Sequence, residues 1–371
     1  MSMKPISCVC AFLFLCDSVF GEGWYPDKQG AFGYGLFQRL SSDDMQEDEP
    51  LNVNCPYLAG AVYYLGWAAI EPKEGDYQWD SLERLIKKWQ DKGKRVIFRI
   101  DVVKKRPRPG MAQGTPEWVF KSGAKKLIAH SSGEKEASPW PVYWDPNFLE
   151  KFSNFIHAFG KRFDGHPGIE FVMVGFGEFA TSRVCGPSSN VMDQYEKAGY
   201  NKSLWIETVK KVIDLYKESF TKTPVCVTPA LFYTAGDGSE ADAYKLGQYA
   251  AGKGIYLFSH SLGGRFEKGY YPKLFNEVQN QTKTALGPDD PVISGWGLGG
   301  PGGGHERNVG EIGDILNLGF GGTHGIPETF VDYFIFYSED ITAITKGTST
   351  YDQKAESAFV SALKRLRATH P

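Results

Sequence analysis

The chain has little cysteine and no clustered positive charge, and each shortage closes off a class of protein. Six cysteines occur in 371 residues, and three of them, Cys8, Cys10 and Cys16, fall within the first 21. The remaining Cys55, Cys185 and Cys226 are an odd number at wide spacing, which excludes a disulfide framework and does not resemble a zinc site. They allow one bridge plus a free thiol, or three buried thiols. No cluster with metal-ligand spacing occurs, so no metal is expected, and nothing calls for another cofactor. The net charge is −3, the pI is near 6.2, and no run of Lys or Arg interleaves with aromatics. Nucleic acid is therefore not an expected partner. Beyond the N-terminal segment no apolar run reaches the length of a membrane span. The glycine-rich stretch Gly295 to His305 lacks the Lys-Ser/Thr ending of a phosphate loop and opens no βαβ dinucleotide unit, which speaks against nucleotide binding.

What is present begins at the N-terminus. Lys4, an apolar segment from Ile6 to Leu15 and then Val19-Phe20-Gly21 read as a secretory signal over residues 1–21, the alternative being a buried N-terminal helix. The remaining 22–371 is expected to be exported, to the extracellular space or a lysosome. On that reading Asn201-Lys-Ser203 and Asn280-Gln-Thr282 become candidate glycosylation sites.

After the signal, short apolar runs alternate with segments of helical period. Strand candidates are Phe32 to Phe37, Gly60 to Trp67, Arg95 to Asp101, Glu170 to Glu178, Val225 to Phe232, Ile255 to Ser261, Pro291 to Leu298 and Phe330 to Ser338. Eight strands with helices between them predict a single (β/α)8 TIM barrel over 22–371, with no linker that would divide it. Asp80 reads as a helix cap with Glu83 at the third position and Gly93 closing the helix; Asp145-Pro146 and Ser203 open two more, and the last begins near Asp352. The stretch from Asp101 to Tyr143 is too long for a plain connection, and Trp118 and Trp140 argue that it is ordered.

The run Phe171-Val-Met-Val-Gly-Phe-Gly-Glu178 is apolar enough for a strand buried on both faces, and it ends in one carboxylate. Parallel sheets present their chemistry at the carboxyl ends of strands, so Glu178 sits where catalysis is expected; a helix cap or a salt-bridged loop residue is the plain alternative. Beside Phe176, Phe179 and nearby tryptophans its ionised form would be poorly solvated, which raises the pKa and suits a general acid.

The segment Gly66-Trp-Ala-Ala-Ile-Glu-Pro-Lys-Glu-Gly-Asp-Tyr-Gln-Trp-Asp80 resembles the segment after the second strand in clan A glycoside hydrolases, especially the β-galactosidase-like barrels. Lys94-Arg-Val-Ile-Phe-Arg99 continues the likeness, which covers roughly residues 31 to 180. The resemblance implies that Glu178 stands at the clan's acid/base position on the fourth strand, and that the substrate is an oligosaccharide or polysaccharide. Such hydrolysis uses two carboxyl groups, ~5 to 5.5 Å apart for retention and ~6.5 to 9.5 Å for inversion.

Around that position Arg99 is a candidate to hold a carboxylate ionised and Asp101 to bind a sugar hydroxyl, although both read equally as a buried ion pair. His260, at the sixth strand's tip, reads as a positioning group or a structural histidine. Trp67, Trp144 and Trp296 are candidates for sugar stacking, with core packing the usual fate of tryptophan; only Trp296, in the glycine-rich loop, reads as exposed. Glu71, just before Pro72, reads first as a loop anchor. The clan places its nucleophile at the seventh strand's end, and Pro291-Val-Ile-Ser-Gly-Trp-Gly-Leu298 offers no carboxylate there. Glu306 and Glu339 are the nearby replacements, each equally readable as a helix-terminal residue. The reading is thus a secreted glycosidase working through Glu178 and a relocated partner, against a catalytically inactive glycan-binding TIM barrel. An aldolase-like barrel would need a Schiff-base lysine at a strand tip, and none is evident.

Overall fold

The computed structural model describes residues 25, 32–41, 45, 48–103, 114–129, 137–177, 191–229, 239–259, 294–299, 312–320, 332–346 and 350–369. Its strands are β1 (Gly35–Ser41), β2 (Gly60–Gly66), β3 (Arg95–Asp101), β4 (Lys126–Ala129), β5 (Ser138–Pro141), β6 (Ile169–Met173), β7 (Val225–Val227), β8 (Tyr256–Ser259), β9 (Ser294–Gly299) and β10 (Tyr333–Tyr337). The described helices are α1 (Trp67–Ile70), α2 (Trp79–Gln90), α3 (Glu117–Lys121), α4 (Pro146–Phe163), α5 (Met192–Lys197), α6 (Lys202–Ser219), α7 (Ser239–Gly252), α8 (Ile312–Phe320), α9 (Ser338–Lys346) and α10 (Thr350–Thr369).

Eight strands close into a barrel in the order β1, β2, β3, β6, β7, β8, β9, β10 and back to β1. Every pairing around the ring is parallel. The fold is the (β/α)8 barrel that eight strand candidates imply. The connection after β3 is ordered where it is described: it carries α3 and the antiparallel pair β4–β5.

Alternation along each strand divides the core in two. One layer fills the barrel interior with Phe37, Val62, Tyr64, Ile97, Phe171, Met173, Cys226 and Ile335. The other packs sheet against helices and is dense in aromatics, among them Trp67, Trp89, Phe152, Phe159 and Trp205. On α4 the spacing of Phe148, Phe152, Phe155, Ile156, Phe159 and Phe163 lays one face on that layer. Asp145 accepts a hydrogen bond from the Phe148 amide at 3.1 Å, so the cap expected there is made.

The fourth ring strand, β6, ends at Met173 and not at Glu178, and three further differences from expectation have physical reasons. β1 starts at Gly35 instead of Phe32, because the Phe32 and Gly33 amides are committed to the Glu170 carboxylate below the strand. Asp80 lies inside the first turn of α2, whose N-cap is Gln78, so it is no cap. Asn201 caps α6 through its side chain, receiving the Leu204 amide at 2.9 Å, and takes the place expected for Ser203.

Candidate active site at the barrel mouth

The carboxyl ends of β1, β2 and β3 bring four polar side chains together. Arg39, Tyr64, Arg99 and Asp101 all stand on the inward-facing set of their strands, with Tyr64 opposite Arg99 in register. The Arg99 guanidinium lies 3.3 Å from the Tyr64 ring centroid, and that of Arg39 lies 4.7 Å from it. Tyr64 is thus flanked by a cation from the β1 side and another from the β3 side. Arg99 is neutralised by a two-point pair with Asp101, Nε to Oδ1 at 2.7 Å and Nη2 to Oδ2 at 2.8 Å. Burial pulls the Arg99 pKa down, but the charge of Asp101, the Tyr64 oxygen and the hydrogen bond outweigh it, and the net direction is up.

Across the β10 side of the same mouth stands Tyr337, paired in register with Arg39. Burial raises its pKa, Arg39 opposes that rise, and Tyr64, Asp340 and Glu339 add to it. On the far side of the ring, Thr228 follows the end of β7, two residues beyond the inward-facing Cys226. It is 4% exposed, and its hydroxyl has no hydrogen-bond partner among the described residues.

The strand carrying the fourth-strand motif is shaped by its glycines. A Cβ on Gly175 would lie 1.5 Å from the Ile100 carbonyl oxygen, so only glycine lets this backbone run so close to β3. Gly177 has φ +85°, a left-handed conformation that turns the chain four residues beyond the end of β6. Between them Phe176 is buried in the outer aromatic layer, its ring 5.7 Å from that of Trp205.

A family model described as beta-galactosidase, of glycoside hydrolase family 42, matches residues 40–207. That span runs from the end of β1 into α6 and takes in β6 with its Gly-Phe-Gly turn. Over that span, less than half of the chain, the sequence is similar to this family. Among solved structures, the catalytic domain of a β-amylase from Paenibacillus polymyxa is 11% identical, with a TM-score of 0.59 over 89% of this chain and 98% of its own. Xylanase 10B from Thermotoga maritima is 10% identical, with a TM-score of 0.52 over 90% and 95%. Xylanase 10B from Thermotoga petrophila, in complex with xylobiose, is 9% identical, with a TM-score of 0.52 over 90% and 94%. At these identities the likeness is one of fold. No curated protein matches the chain in sequence.

Within this barrel the candidates named from sequence separate. Glu178, Glu306 and His260 lie outside the described residues. Glu339 is exposed in the first turn of α9, directly after β10, where it accepts a 3.3 Å hydrogen bond from the Ser338 hydroxyl. Arg99 and Asp101 are at the mouth, paired to each other, which is the ion-pair reading of the two. Trp67 is corrected: it is 0% exposed in the outer layer, 5.3 Å from Phe155, and cannot stack on a sugar. Trp144 is half-buried against Tyr195 and Tyr200, with Nε1 donating to the Ala198 carbonyl at 3.1 Å. Trp296 is corrected in placement: its backbone is in the middle of β9, paired to both β8 and β10, not in a loop. Phe176 and Trp67 both pack in the outer aromatic layer.

Glu71 is the anchor that its turn chemistry suggests. It is buried and accepts from Trp67 Nε1 and the Gly75 amide, both at 2.8 Å, while its own carbonyl takes Trp118 Nε1 at 3.0 Å. Burial raises its pKa against those two donors. Cys55 and Cys226 are both free and buried, so they do not bridge each other. Among the described residues there is no cluster able to hold a metal, and no helix long and apolar enough to cross a membrane. A cavity of roughly 610 Å³ between residues 49–57 and α9 and α10 has no strand tip in its walls, so it is not part of the mouth. Arg39, Tyr64, Tyr337 and Thr228 were missed by sequence reasoning; period-two alternation from Phe37 and Val62 was the signal that places the first two inward.

Proposed function

We propose that this barrel is an exported glycosidase that cleaves O-glycosidic bonds in an oligosaccharide or polysaccharide, with Glu178 as acid/base. The observation that carries the reading is the beta-galactosidase match over residues 40–207, a span whose sequence includes Glu178, the residue after Gly177. The xylobiose bound to one neighbour of the same fold makes oligosaccharides the class to test first. Glu339 is the preferred partner carboxylate among the described residues, since it emerges from the eighth ring strand at the barrel mouth; Glu306 is the other. Export rests on the leader-like residues 1–21, and Asn201, exposed at the N-cap of α6, is accessible for glycosylation.

The test is hydrolysis of a panel of aryl glycosides and of plant, algal and animal oligosaccharides by the wild type and Glu178→Gln at equal folded concentration. A loss of ~100-fold or more is expected, the usual size of general acid–base catalysis. The same assay on Glu339→Gln and Glu306→Gln identifies the partner. A second reading, a catalytically silent glycan-binding barrel, is favoured by the missing carboxylate on Pro291 to Leu298. Glycan binding without turnover by the wild type would establish it.

A further inference from the structure

We propose that Arg39 is the receptor for an anionic group of the bound glycan, so that this mouth takes an acidic saccharide bearing a carboxylate or a sulfate. The word glycan rests on the function proposed above; the anion site rests on geometry.

Arg39 is half-buried at the inner face of β1, and among the described residues it has neither an ion pair nor a hydrogen bond. A guanidinium carries five N–H donors, and stacking on Tyr64 at 4.7 Å engages its face but none of them. Taking a cation partly out of water without a counter-charge is costly, and proteins avoid it unless a ligand supplies the charge. The other arginines inside the barrel are provided for: Arg99 by Asp101, and Arg95 by Glu170 at 3.7 Å with the Phe32 ring beneath it. Asp101 is therefore already spent on Arg99. Glu339 and Asp340 act on Tyr337 beside Arg39. Among the described residues, the positive charge left over at the mouth is that of Arg39.

The planar fork of arginine matches a carboxylate or sulfate by two parallel hydrogen bonds, and the low-dielectric floor of a barrel strengthens such a pair. Thr228 adds a second polar group. Its strand lies four places from β1 in either direction around the ring, and its buried hydroxyl has no partner among the described residues. A saccharide lying across the mouth would meet Arg39 on one side and Thr228 on the other.

The experiment is calorimetric titration of the full chain with three oligosaccharide sets at low salt: oligogalacturonides, which carry only carboxylates, sulfated galactans, which carry only sulfates, and neutral galacto-oligosaccharides. One acidic set should bind about tenfold or more tightly than the neutral one, with the two acidic arms identifying the anion. Arg39→Gln should abolish that preference and Arg39→Lys should keep part of it. Equal binding of acidic and neutral sets by the wild type, no binding of any set, or a preference that survives Arg39→Gln overturns the inference. If Arg39→Gln does not fold, the wild-type comparison and Arg39→Lys still decide. Hydrolysis followed in parallel separates the two claims. Arg39-dependent acidic binding with no bond cleaved keeps the anion site and defeats the catalytic reading, whereas cleavage of acidic and neutral glycans alike, untouched by Arg39→Gln, does the reverse.

Discussion

The two ends of this barrel treat buried polarity in opposite ways. At the amino end, Glu170 is 0% exposed and every side of it is occupied: the Phe32 amide at 2.8 Å, the Gly33 amide at 2.9 Å, the Tyr333 hydroxyl at 2.7 Å and Arg95 at 3.7 Å. At the carboxyl end, Arg39 lacks an acceptor and the Thr228 hydroxyl lacks any partner among the described residues. Satisfied polar groups close and rigidify an end, while unsatisfied ones at a mouth are left for something outside the chain. The contrast agrees with the general division of such barrels into a stability face and a chemical face.

The strongest way to break the comparison is to empty the closed end. Glu170→Ala leaves two amides, a phenol and a guanidinium buried without their acceptor, and should cost about 3–5 kcal/mol of stability, read as a lower urea midpoint. Glycan affinity of the variant that remains folded should be unchanged. A comparable loss of affinity would mean that the two ends are coupled and that the division is wrong.

A pH-dependent test acts at the same end. Lys94, just before β3, is buried with its amine donating to the Cys55 carbonyl, and burial lowers its pKa to about 8. With a folded pKa below the unfolded value of 10.5, the native state gives up the proton first as pH rises. The unfolded chain then holds more protons between about pH 8 and 10.5, and stability should rise with pH across that window. The gain is about 3 kcal/mol from a shift of this size. Lys94→Met should flatten the rise relative to wild type in urea titrations at each pH. An unchanged slope would show that the amine stays hydrated.

How much of this was legible beforehand follows from what each pattern reports. Apolar runs and helical periods report burial, so the eight ring strands, α4 and its Asp145 cap could be read directly. Glu71 could be read as an anchor because its turn is local. Trp67 misled, since its place in a family-like segment says nothing about which side of the sheet it faces. Arg39 and Tyr64 went unnoticed because their meaning comes from the ring: strands β1, β2 and β3 bring them within 4.7 Å, and no window along the chain contains both. The start of β1 was misplaced for the same reason, as the Phe32 and Gly33 amides answer to a glutamate more than 130 residues away.

The smallest effect expected discriminates best, because its two readouts should move in opposite directions. Thr228→Val replaces the buried hydroxyl by a methyl of nearly the same shape. Since the hydroxyl has no partner among the described residues, its burial is an uncompensated cost, and removing it should leave stability unchanged or raise it by about 1 kcal/mol. A hydroxyl inside the closed end would behave otherwise, since losing the Tyr333 hydroxyl takes a donor from Glu170. If Thr228 serves a bound saccharide, the same variant should bind glycan more weakly while melting no lower. Weaker binding together with lower stability would instead mark Thr228 as a packing residue, and the unsatisfied mouth would then reduce to Arg39.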